Sequence, residues 1–257
     1  MPIIYEKKNR VAKIILNRPE AMNALDADMF TQLSTILMDF RDDPDLWVAI
    51  ITGAGEKAFC AGADLVTMIP RRIGRKSAAP PATDPPRFYT LDITKPIIAA
   101  VNGHCLAAGF GLALFCDLRI ASENATFGTM GVKRGILPGA GQSQRLPRVM
   151  PLAKVFEMCF LAERMNAEDA RANGLVNAVV PLDRLMETAE EWAAKICGNA
   201  PLAIRATKEA VLRGLTLPID EGLRLEMELA APLNLTEDCK EGVRAFAEKR
   251  KPDFKGR

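Results

Sequence analysis

The sequence predicts an α/β fold in which parallel strands and crossover helices form a core and further helices follow. Strand and helix signals alternate in the first third of the chain, and the pattern is almost wholly helical after Ala153. Hydrophobic residues make up 49% of the 257 residues, which is enough to bury a large core. We therefore assign residues 1–195 to the core and residues 196–257 to a C-terminal helical region.

The elements of the core follow from the spacing of apolar residues. Alternating or continuous apolar runs predict strands, and apolar residues at helical spacing predict helices. Asp26 precedes a run of helix-forming residues, so it is a candidate N-terminal cap of the first helix. The predicted strands are 11–17, 47–52, 97–101 and 118–121, and the predicted helices are 25–40 and 106–115.

The stretch from residue 69 to residue 95 differs from its surroundings. It contains five prolines, and four of the six residues in 71–76 are basic. Such a composition predicts an irregular, mobile loop. It is either a functional lid or a disordered insert, and the alternative is an ordinary solvated surface loop. The helices predicted after Ala153 are 154–161, 167–173, 182–197, 200–213, 219–231 and 238–249.

Charge and composition argue against several function classes. The 34 basic and 32 acidic residues leave a net charge of +2, which gives no reason to expect a nucleic-acid partner. The six cysteines are scattered and the only histidine is His104, so we expect neither a disulfide framework nor a metal site. Because no apolar run is long enough to cross a membrane and no signal peptide is evident, we expect a cytoplasmic protein without a membrane partner.

Two segments rich in glycine and alanine, 60–65 and 102–109, stand where a strand is expected to turn into a helix. Small residues let a ligand approach the backbone, and amides at the start of a helix lack an intrahelical acceptor. Two such amides converging on one carbonyl oxygen form an oxyanion hole. For each segment alone, tight core packing is the alternative explanation. Neither segment matches a dinucleotide or nucleoside-triphosphate motif.

Six ordered motifs make the chain resemble the crotonase superfamily, the enoyl-CoA hydratase/isomerase family, over nearly its whole length. They lie at residues 17–25, 55–65, 95–103, 116–121, 137–146 and 170–176. The resemblance implies a spiral of ββα turns as the core. It also implies that the C-terminal helical region assembles trimers, which are often paired into hexamers.

The resemblance further implies which residues contact an acyl-CoA substrate. The two oxyanion amides correspond to Ala63 and Ala108, which would act through backbone on the thioester oxygen as it becomes an enolate. Coenzyme A would be part of the substrate, with no tightly bound cofactor. Its expected contacts are Lys57, Ala61, Ala63, Asp64 and Leu65, together with Phe246 and Lys249 of the last helix, usually presented to a neighbouring subunit's ligand.

One departure from the family pattern concerns the reaction. Hydratases of this family use two glutamates to activate water, and the corresponding residues here are Gly111 and Gly131. The side chain of glycine cannot donate or accept a proton. Two acid-base groups, each worth roughly 10²–10⁴-fold in rate, are therefore missing, and we expect slow hydration. Asp64 and His104 are candidate replacements, although a helix-terminus partner and a hydrogen-bonded histidine are the favoured interpretations. Lys133, Arg134, Ser143 and Gln144 also surround this site in sequence, and Asp117 with Arg119 is expected to form a structural pair.

The last 18 residues, 240–257, carry seven basic and three acidic residues. Contacts to coenzyme A phosphates and a solvated helix end are equally weighted explanations, and RNA contact is a distant third. The favoured function is an enzyme acting on an acyl-CoA thioester through an oxyanion hole. The alternatives are a non-catalytic acyl-CoA-binding paralogue and a family member that performs decarboxylation or thioester hydrolysis.

Overall fold

The computed structural model describes residues 1–64, 68 and 86–257 and contains two β-sheets. The strands are β1 (Ile3–Lys8), β2 (Val11–Leu16), β3 (Val48–Gly53), β4 (Ala58–Cys60), β5 (Ile97–Val101), β6 (His104–Leu106), β7 (Leu118–Ser122), β8 (Thr126–Gly128), β9 (Met165–Asn166) and β10 (Ala178–Val180). The helices are α1 (Ala27–Asp42), α2 (Ala108–Phe115), α3 (Gln142–Arg145), α4 (Leu152–Leu161), α5 (Ala167–Ala172), α6 (Leu185–Cys197), α7 (Pro201–Gly214), α8 (Ile219–Leu233) and α9 (Glu237–Ala247).

The larger sheet has six strands in the order β1-β2-β3-β5-β7-β10. β1 and β2 form an antiparallel pair, and the other neighbouring strands are parallel. Ile14 pairs with Ile51, and Ile51 pairs with Ala99 of the next strand. This arrangement confirms the α/β class with crossover helices that the sequence predicts.

β3 is buried at every position because both faces of the larger sheet are covered. Ala49 and Ile51 belong to the main hydrophobic core. Val48 and Ile50 belong to a second cluster, in which α6 supplies Leu185, Ala189 and Ala193. Alternate residues of one strand therefore hold α6 on one face and the rest of the core on the other.

The smaller sheet has the order β4-β6-β8-β9 and positions the candidate site. β4 pairs parallel with β6, β6 pairs parallel with β8, and β9 is antiparallel to β8. β4 follows β3 in sequence, and β6 follows β5. The two glycine-containing segments therefore leave neighbouring parallel strands at their carboxyl ends, β4 at Cys60 and β6 at Leu106.

The C-terminal tail returns from α9 to the start of the larger sheet. The Asp238 carboxylate accepts hydrogen bonds from the amides of Lys255 at 2.6 Å and Gly256 at 2.8 Å. At the β1–β2 turn, the Arg10 guanidinium donates to the carbonyl of Phe254 at 3.2 Å. The tail thus ties the last helix to the opposite end of the chain.

The structure confirms the predicted strands and helices and corrects two details. The helix predicted at 106–115 begins at Ala108, because residues 104–106 form β6. The part after Ala153 is mostly helical as predicted, but the short strands β9 and β10 also lie within it. Strands of two or three residues are too short to show a periodic pattern. The boundary assigned at 195/196 falls in the last turn of α6, and the division into core and helical region stays a prediction.

Most of the stretch predicted as a loop at 69–95 lies outside the described residues. Its described end contains a 3₁₀ turn at Phe88–Thr90. Phe88 is fully buried and stacks on Phe30, with 5.9 Å between the ring centroids. This end is therefore anchored in the core by Phe88, and residues 91–95 that follow have no regular secondary structure, as predicted.

Candidate active site

The segment that follows β4 is fixed by backbone hydrogen bonds to the residue before α1. The amide of Leu25 donates to the carbonyl of Gly62 at 2.8 Å, and the amide of Asp64 donates to the carbonyl of Leu25 at 2.8 Å. These bonds form an isolated parallel bridge between Leu25 and Ala63. Among the residues that the structure describes, none accepts a hydrogen bond from the Ala63 amide.

The segment that follows β6 turns sharply into α2 at Ala107. Ala107 has φ +49° and ψ −122°, a conformation that is costly for a residue with a Cβ atom. Its amide donates to the carbonyl of Gly128 at 2.8 Å, which holds the turn against β8. Ala108 then opens α2, and its first-turn amide has no acceptor in the described part of the chain.

The two segments pack directly against each other through glycine. A Cβ atom built on Gly62, which has φ +112°, would lie 2.8 Å from the Cβ of Ala107 and 3.3 Å from the amide nitrogen of Ala108. A Cβ atom built on Gly109 would lie 2.3 Å from the carbonyl oxygen of Cys60. Glycine is therefore required for packing, and the same packing places the Ala108 amide beside Gly62, the residue before Ala63.

Asp64 is held by an ion pair at the edge of this site. Its Oδ2 lies 3.7 Å from Nη2 of Arg18, and the Asp64 side chain is 18% exposed. Nη1 of Arg18 donates to Asp26 at 2.8 Å and to the carbonyl of Ala24 at 3.1 Å. Asp64 therefore has an ion-pair partner, and its interpretation as a helix-terminus partner stays a prediction because residues 65–67 lie outside the described ranges.

His104 is engaged within the smaller sheet. Its Nδ1 lies 2.8 Å from Oγ1 of Thr126 on the neighbouring strand β8. Burial lowers the pKa of His104, and the positive charge of Arg164 lowers it further. His104 is therefore hydrogen-bonded and its surroundings favour the neutral imidazole, which agrees with the favoured interpretation.

The other residues expected to contact coenzyme A fall into separate places. Lys57 is exposed beside β4, and its carbonyl accepts the amide of His104 at 3.0 Å. Ala61 is half-buried and donates its amide to the carbonyl of Met22 at 3.0 Å. Leu65 lies outside the described residues.

Phe246 and Lys249 are not joined to the two glycine-containing segments within one chain. Phe246 is 87% exposed near the end of α9, and Lys249 lies in the exposed turn that follows it. No hydrogen bond or ion pair among the described residues links either one to the segments at Ala63 and Ala108. The structure thus brings together the two predicted oxyanion residues but leaves the predicted contacts of the last helix apart.

The backbone closes over both positions that lack glutamate. A Cβ atom at Gly111 would lie 2.5 Å from the carbonyl oxygen of Ala140. A Cβ atom at Gly131 would lie 2.7 Å from the carbonyl oxygen of Ile136. Neither position can carry a side chain unless the segment 136–140 moves, so the two glycines are also packing residues.

The remaining polar candidates have structural surroundings. Lys133 and Arg134 are exposed in a 3₁₀ turn. The Ser143 hydroxyl accepts a hydrogen bond from the Gln144 side chain at 3.4 Å. In the described part of the chain, none of these side chains contacts the two segments that carry Ala63 and Ala108 through a hydrogen bond or an ion pair.

Asp117 and Arg119 do not pair with each other, in contrast to the expectation. Asp117 binds Lys208 at 2.8 Å and the amide of Ile97 at 2.8 Å. The buried Arg119 guanidinium donates to backbone carbonyls, including that of Leu175 at 2.6 Å. Each therefore ties different elements to the larger sheet.

Cys60 and Ala107 also shape the site. Neither residue is predicted from the sequence to do so. Sγ of Cys60 accepts the amide of Gly62 at 3.4 Å and lies beside Gly109. Complete burial raises the pKa of Cys60 to about 12, so this thiol is not a thiolate nucleophile near neutral pH. The signal for Cys60 was its position in the motif at 55–65. Ala107 gave no signal, because alanine is not a residue that marks a positive φ.

The described residues contain no group of three or more histidine, cysteine, aspartate or glutamate side chains placed to hold a metal ion. None of the helices in the described ranges combines the length and hydropathy of a transmembrane segment.

Comparison with known proteins decides the family. The enoyl-CoA hydratase/isomerase family model matches residues 6–257. The chain belongs to the enoyl-CoA hydratase/isomerase family. The resemblance to the crotonase superfamily is therefore confirmed over nearly the whole sequence.

Individual members of the enoyl-CoA hydratase/isomerase family match the chain from end to end. An (E)-benzylidenesuccinyl-CoA hydratase from Thauera aromatica is 42% identical over 265 residues, with 100% of both chains covered. A short-chain-enoyl-CoA hydratase from Clostridium acetobutylicum is 42% identical, with 99% of this chain and 98% of the relative covered. The crystal structure of an enoyl-CoA hydratase from Bacillus anthracis superposes with a TM-score of 0.91 at 37% identity and 100% coverage of both chains. The mixed α/β fold with C-terminal helices is thus the fold of this family.

Proposed function

We propose that the protein is an enzyme that binds an acyl-CoA thioester and holds its thioester oxygen between the amides of Ala63 and Ala108. The observation that carries the proposal is the packing of the two segments, in which a Cβ on Gly62 would lie 3.3 Å from the amide nitrogen of Ala108. Membership of the enoyl-CoA hydratase/isomerase family supports an acyl-CoA substrate. Coenzyme A is then part of the substrate, and the proposal includes no tightly bound cofactor.

The chemistry follows from where charge develops. When a proton leaves the carbon next to the thioester carbonyl, or when a nucleophile adds to the conjugated double bond, negative charge moves to the thioester oxygen. Two fixed amides at that oxygen stabilise the resulting enolate, and loss of one such donor costs about 2.7–4 kcal/mol in other oxyanion holes. The strained turn at Ala107 and the ion pair of Asp64 fix the two amides before the substrate arrives.

The class of reaction within the family depends on what replaces the missing carboxylates. Gly111 and Gly131 supply no acid or base, and the backbone around them leaves no space for a side chain. We propose lyase or isomerase chemistry of the hydratase family, with hydration slower by several orders of magnitude than two glutamates would allow. Decarboxylation, thioester hydrolysis and binding without turnover are the competing outcomes.

Incubation with a panel of acyl-CoA thioesters in heavy water distinguishes these outcomes by mass spectrometry. Hydration adds D₂O, proton exchange replaces hydrogen by deuterium, decarboxylation removes CO₂, and hydrolysis releases free coenzyme A. Any of the first three supports an enolate-stabilising enzyme. If the panel binds without a change in mass, the protein is a binding paralogue. If nothing binds, the proposal is wrong.

The oxyanion assignment is tested by Ala63→Pro, which removes the amide hydrogen. We expect at least a hundredfold loss of turnover, the scale of one lost donor. Ala63→Gly keeps the amide hydrogen and serves as the control, and we expect its turnover to exceed that of Ala63→Pro. A folded Ala63→Pro variant with unchanged turnover would show that this amide is not an oxyanion donor.

A further inference from the structure

We propose that Glu241 is a positioning residue for coenzyme A, because it fixes the turn after α9 that carries Phe246 and Lys249. The inference rests on the proposed function and adds to it the nucleotide end of the substrate. Glu241 is far from Ala63 and Ala108 in sequence. The oxyanion hole and the role of Glu241 can therefore be tested separately.

Glu241 is the centre of a network of hydrogen bonds at the end of the chain. Its side chain is only 10% exposed. It accepts hydrogen bonds from Nη1 of Arg250 at 2.5 Å and from Nη2 of Arg250 at 3.0 Å. It also accepts from the Asp253 amide at 2.9 Å and from Nε of Arg244 at 3.2 Å. One carboxylate thus joins α9 to the residues that follow it.

The turn between these partners has the form of a Schellman motif. The amide of Arg250 donates to the carbonyl of Ala245 at 3.0 Å, and the amide of Lys249 donates to the carbonyl of Phe246 at 3.2 Å. Lys249 has φ +52°, at the position that glycine usually occupies in this motif. Because Arg250 follows Lys249 directly, its ion pair with Glu241 holds a turn that lysine alone disfavours.

The surface presented by this turn combines an aromatic ring with unpaired positive charge. Phe246 is 87% exposed, although its neighbour Ala245 is buried. In the described part of the chain, Lys249 and Lys251 have no carboxylate within ion-pair distance. The arginines around them are paired, as Arg244 and Arg250 are with Glu241.

This combination has a chemical counterpart in coenzyme A. An exposed aromatic ring stacks on a nucleobase, and ammonium groups make charge-assisted hydrogen bonds to phosphate oxygens. The acyl and pantetheine portion of the substrate carries neither a base nor a 3′-phosphate. A change at Glu241 should therefore weaken binding of a complete acyl-CoA and spare a thioester that lacks the nucleotide.

The test compares dissociation constants of crotonyl-CoA and S-crotonyl-pantetheine, measured by calorimetry on the full chain. We expect Glu241→Gln to raise the constant for crotonyl-CoA about tenfold relative to the constant for S-crotonyl-pantetheine. Glu237→Gln is the matched control on the same helix, since the one side chain that pairs with Glu237 in the described ranges is the exposed Arg257, at 2.9 Å. For this control we expect the ratio of the dissociation constants of crotonyl-CoA and S-crotonyl-pantetheine to stay within about twofold of the ratio for the unmodified protein.

A double variant tests the route of the effect. If Glu241 acts through the turn, Glu241→Gln combined with Lys249→Gln should weaken binding no more than the stronger single change. Should Glu241→Gln fail to fold, Arg250→Lys replaces it, because lysine keeps the charge and loses the two-pronged hydrogen bond.

Equal weakening for both ligands would show a general structural role, and no weakening would show no role; either result overturns the inference. If the unmodified protein binds neither ligand, the proposed function fails and the inference fails with it. If the unmodified protein binds both ligands equally well, the proposed function survives and only the inference is overturned.

Discussion

Gly111 and Gly131 show how a missing side chain changes the shape of a site as well as its chemistry. The carbonyl oxygens of Ala140 and Ile136 lie 2.5 Å and 2.7 Å from where the two Cβ atoms would be. The space of two carboxylates is therefore occupied by backbone. Restoring acid-base groups at these positions requires a displacement of the segment 136–140, not only a new side chain.

We therefore expect Gly111→Glu combined with Gly131→Glu to destabilise the protein by about 2 kcal/mol or more and to leave crotonyl-CoA hydration slow. The measurements are urea denaturation and the hydration rate. Gly214→Ala is the matched control and should cost no stability, since a Cβ there would have no atom within 4 Å from the described residues beyond its own turn of helix. A stable double variant with a large gain in hydration would mean that the segment moves freely.

At this scale the sequence predicts residues whose types are unusual and misses those that are ordinary. Gly62 and Gly109 stand out because only glycine fits between the two segments. Ala107 does not, because an alanine at φ +49° is a consequence of its hydrogen bond to Gly128 and of the neighbouring strand. Such a conformation depends on contacts between residues distant in the sequence.

At the scale of elements, long periodic segments are predicted well and short ones poorly. β5 has the predicted bounds Ile97–Val101, and α8 begins at the predicted Ile219. β4, β6 and β8 have three residues each, and their partners in the smaller sheet define them. The sequence therefore locates the two glycine-containing segments, while the sheet that brings them together becomes visible only in the structure.

The attachment of the C-terminal tail to α9 should depend on pH. Hydrogen bonds from Arg250, from the Asp253 amide and from Arg244 hold the pKa of Glu241 well below its usual value. Because the unfolded chain titrates near about 4.3, this contribution to stability is complete above that pH and is lost as pH falls through the lower folded-state pKa.

Hydrogen exchange measures this attachment at the Asp253 amide, which donates to Glu241 at 2.9 Å. We expect its protection factor to be constant above about pH 4.3, the unfolded pKa of glutamate, and to fall progressively as the pH is lowered below that value. Protection at Ile50 in the buried strand β3 serves as the internal reference. If the protection factors of Asp253 and Ile50 fall equally with pH, the attachment of the tail does not depend on the Glu241 carboxylate.

At the scale of the whole molecule, several helices from α4 onwards expose large apolar side chains. Phe156 and Phe160 of α4 stack with 5.1 Å between ring centroids, and Phe160 is 70% exposed. Further large apolar side chains are exposed on α7, α8 and α9. They include Val211, Leu212, Leu223, Met227 and Val243. Large exposed apolar surfaces mark interaction sites, and contact between subunits is one of them.

We expect the protein to assemble as a trimer or as a dimer of trimers. Sedimentation equilibrium should then give a mass of three or six times the 28.0 kDa of one chain. Removal of residues 244–257 should disturb this assembly and weaken acyl-CoA binding. A single species with the mass of one chain, or a truncated protein that keeps both properties, would contradict the expectation.

The position of β10 has a consequence for synthesis on the ribosome. β10 completes the larger sheet beside β7, yet β7 ends at Ser122 and β10 begins at Ala178. At about 5–20 residues per second, the intervening chain takes several seconds to emerge. During that time the outer edge of β7 has no partner within its own chain and is open to pairing with another nascent chain. The sheet can therefore close only after most of the protein has been translated.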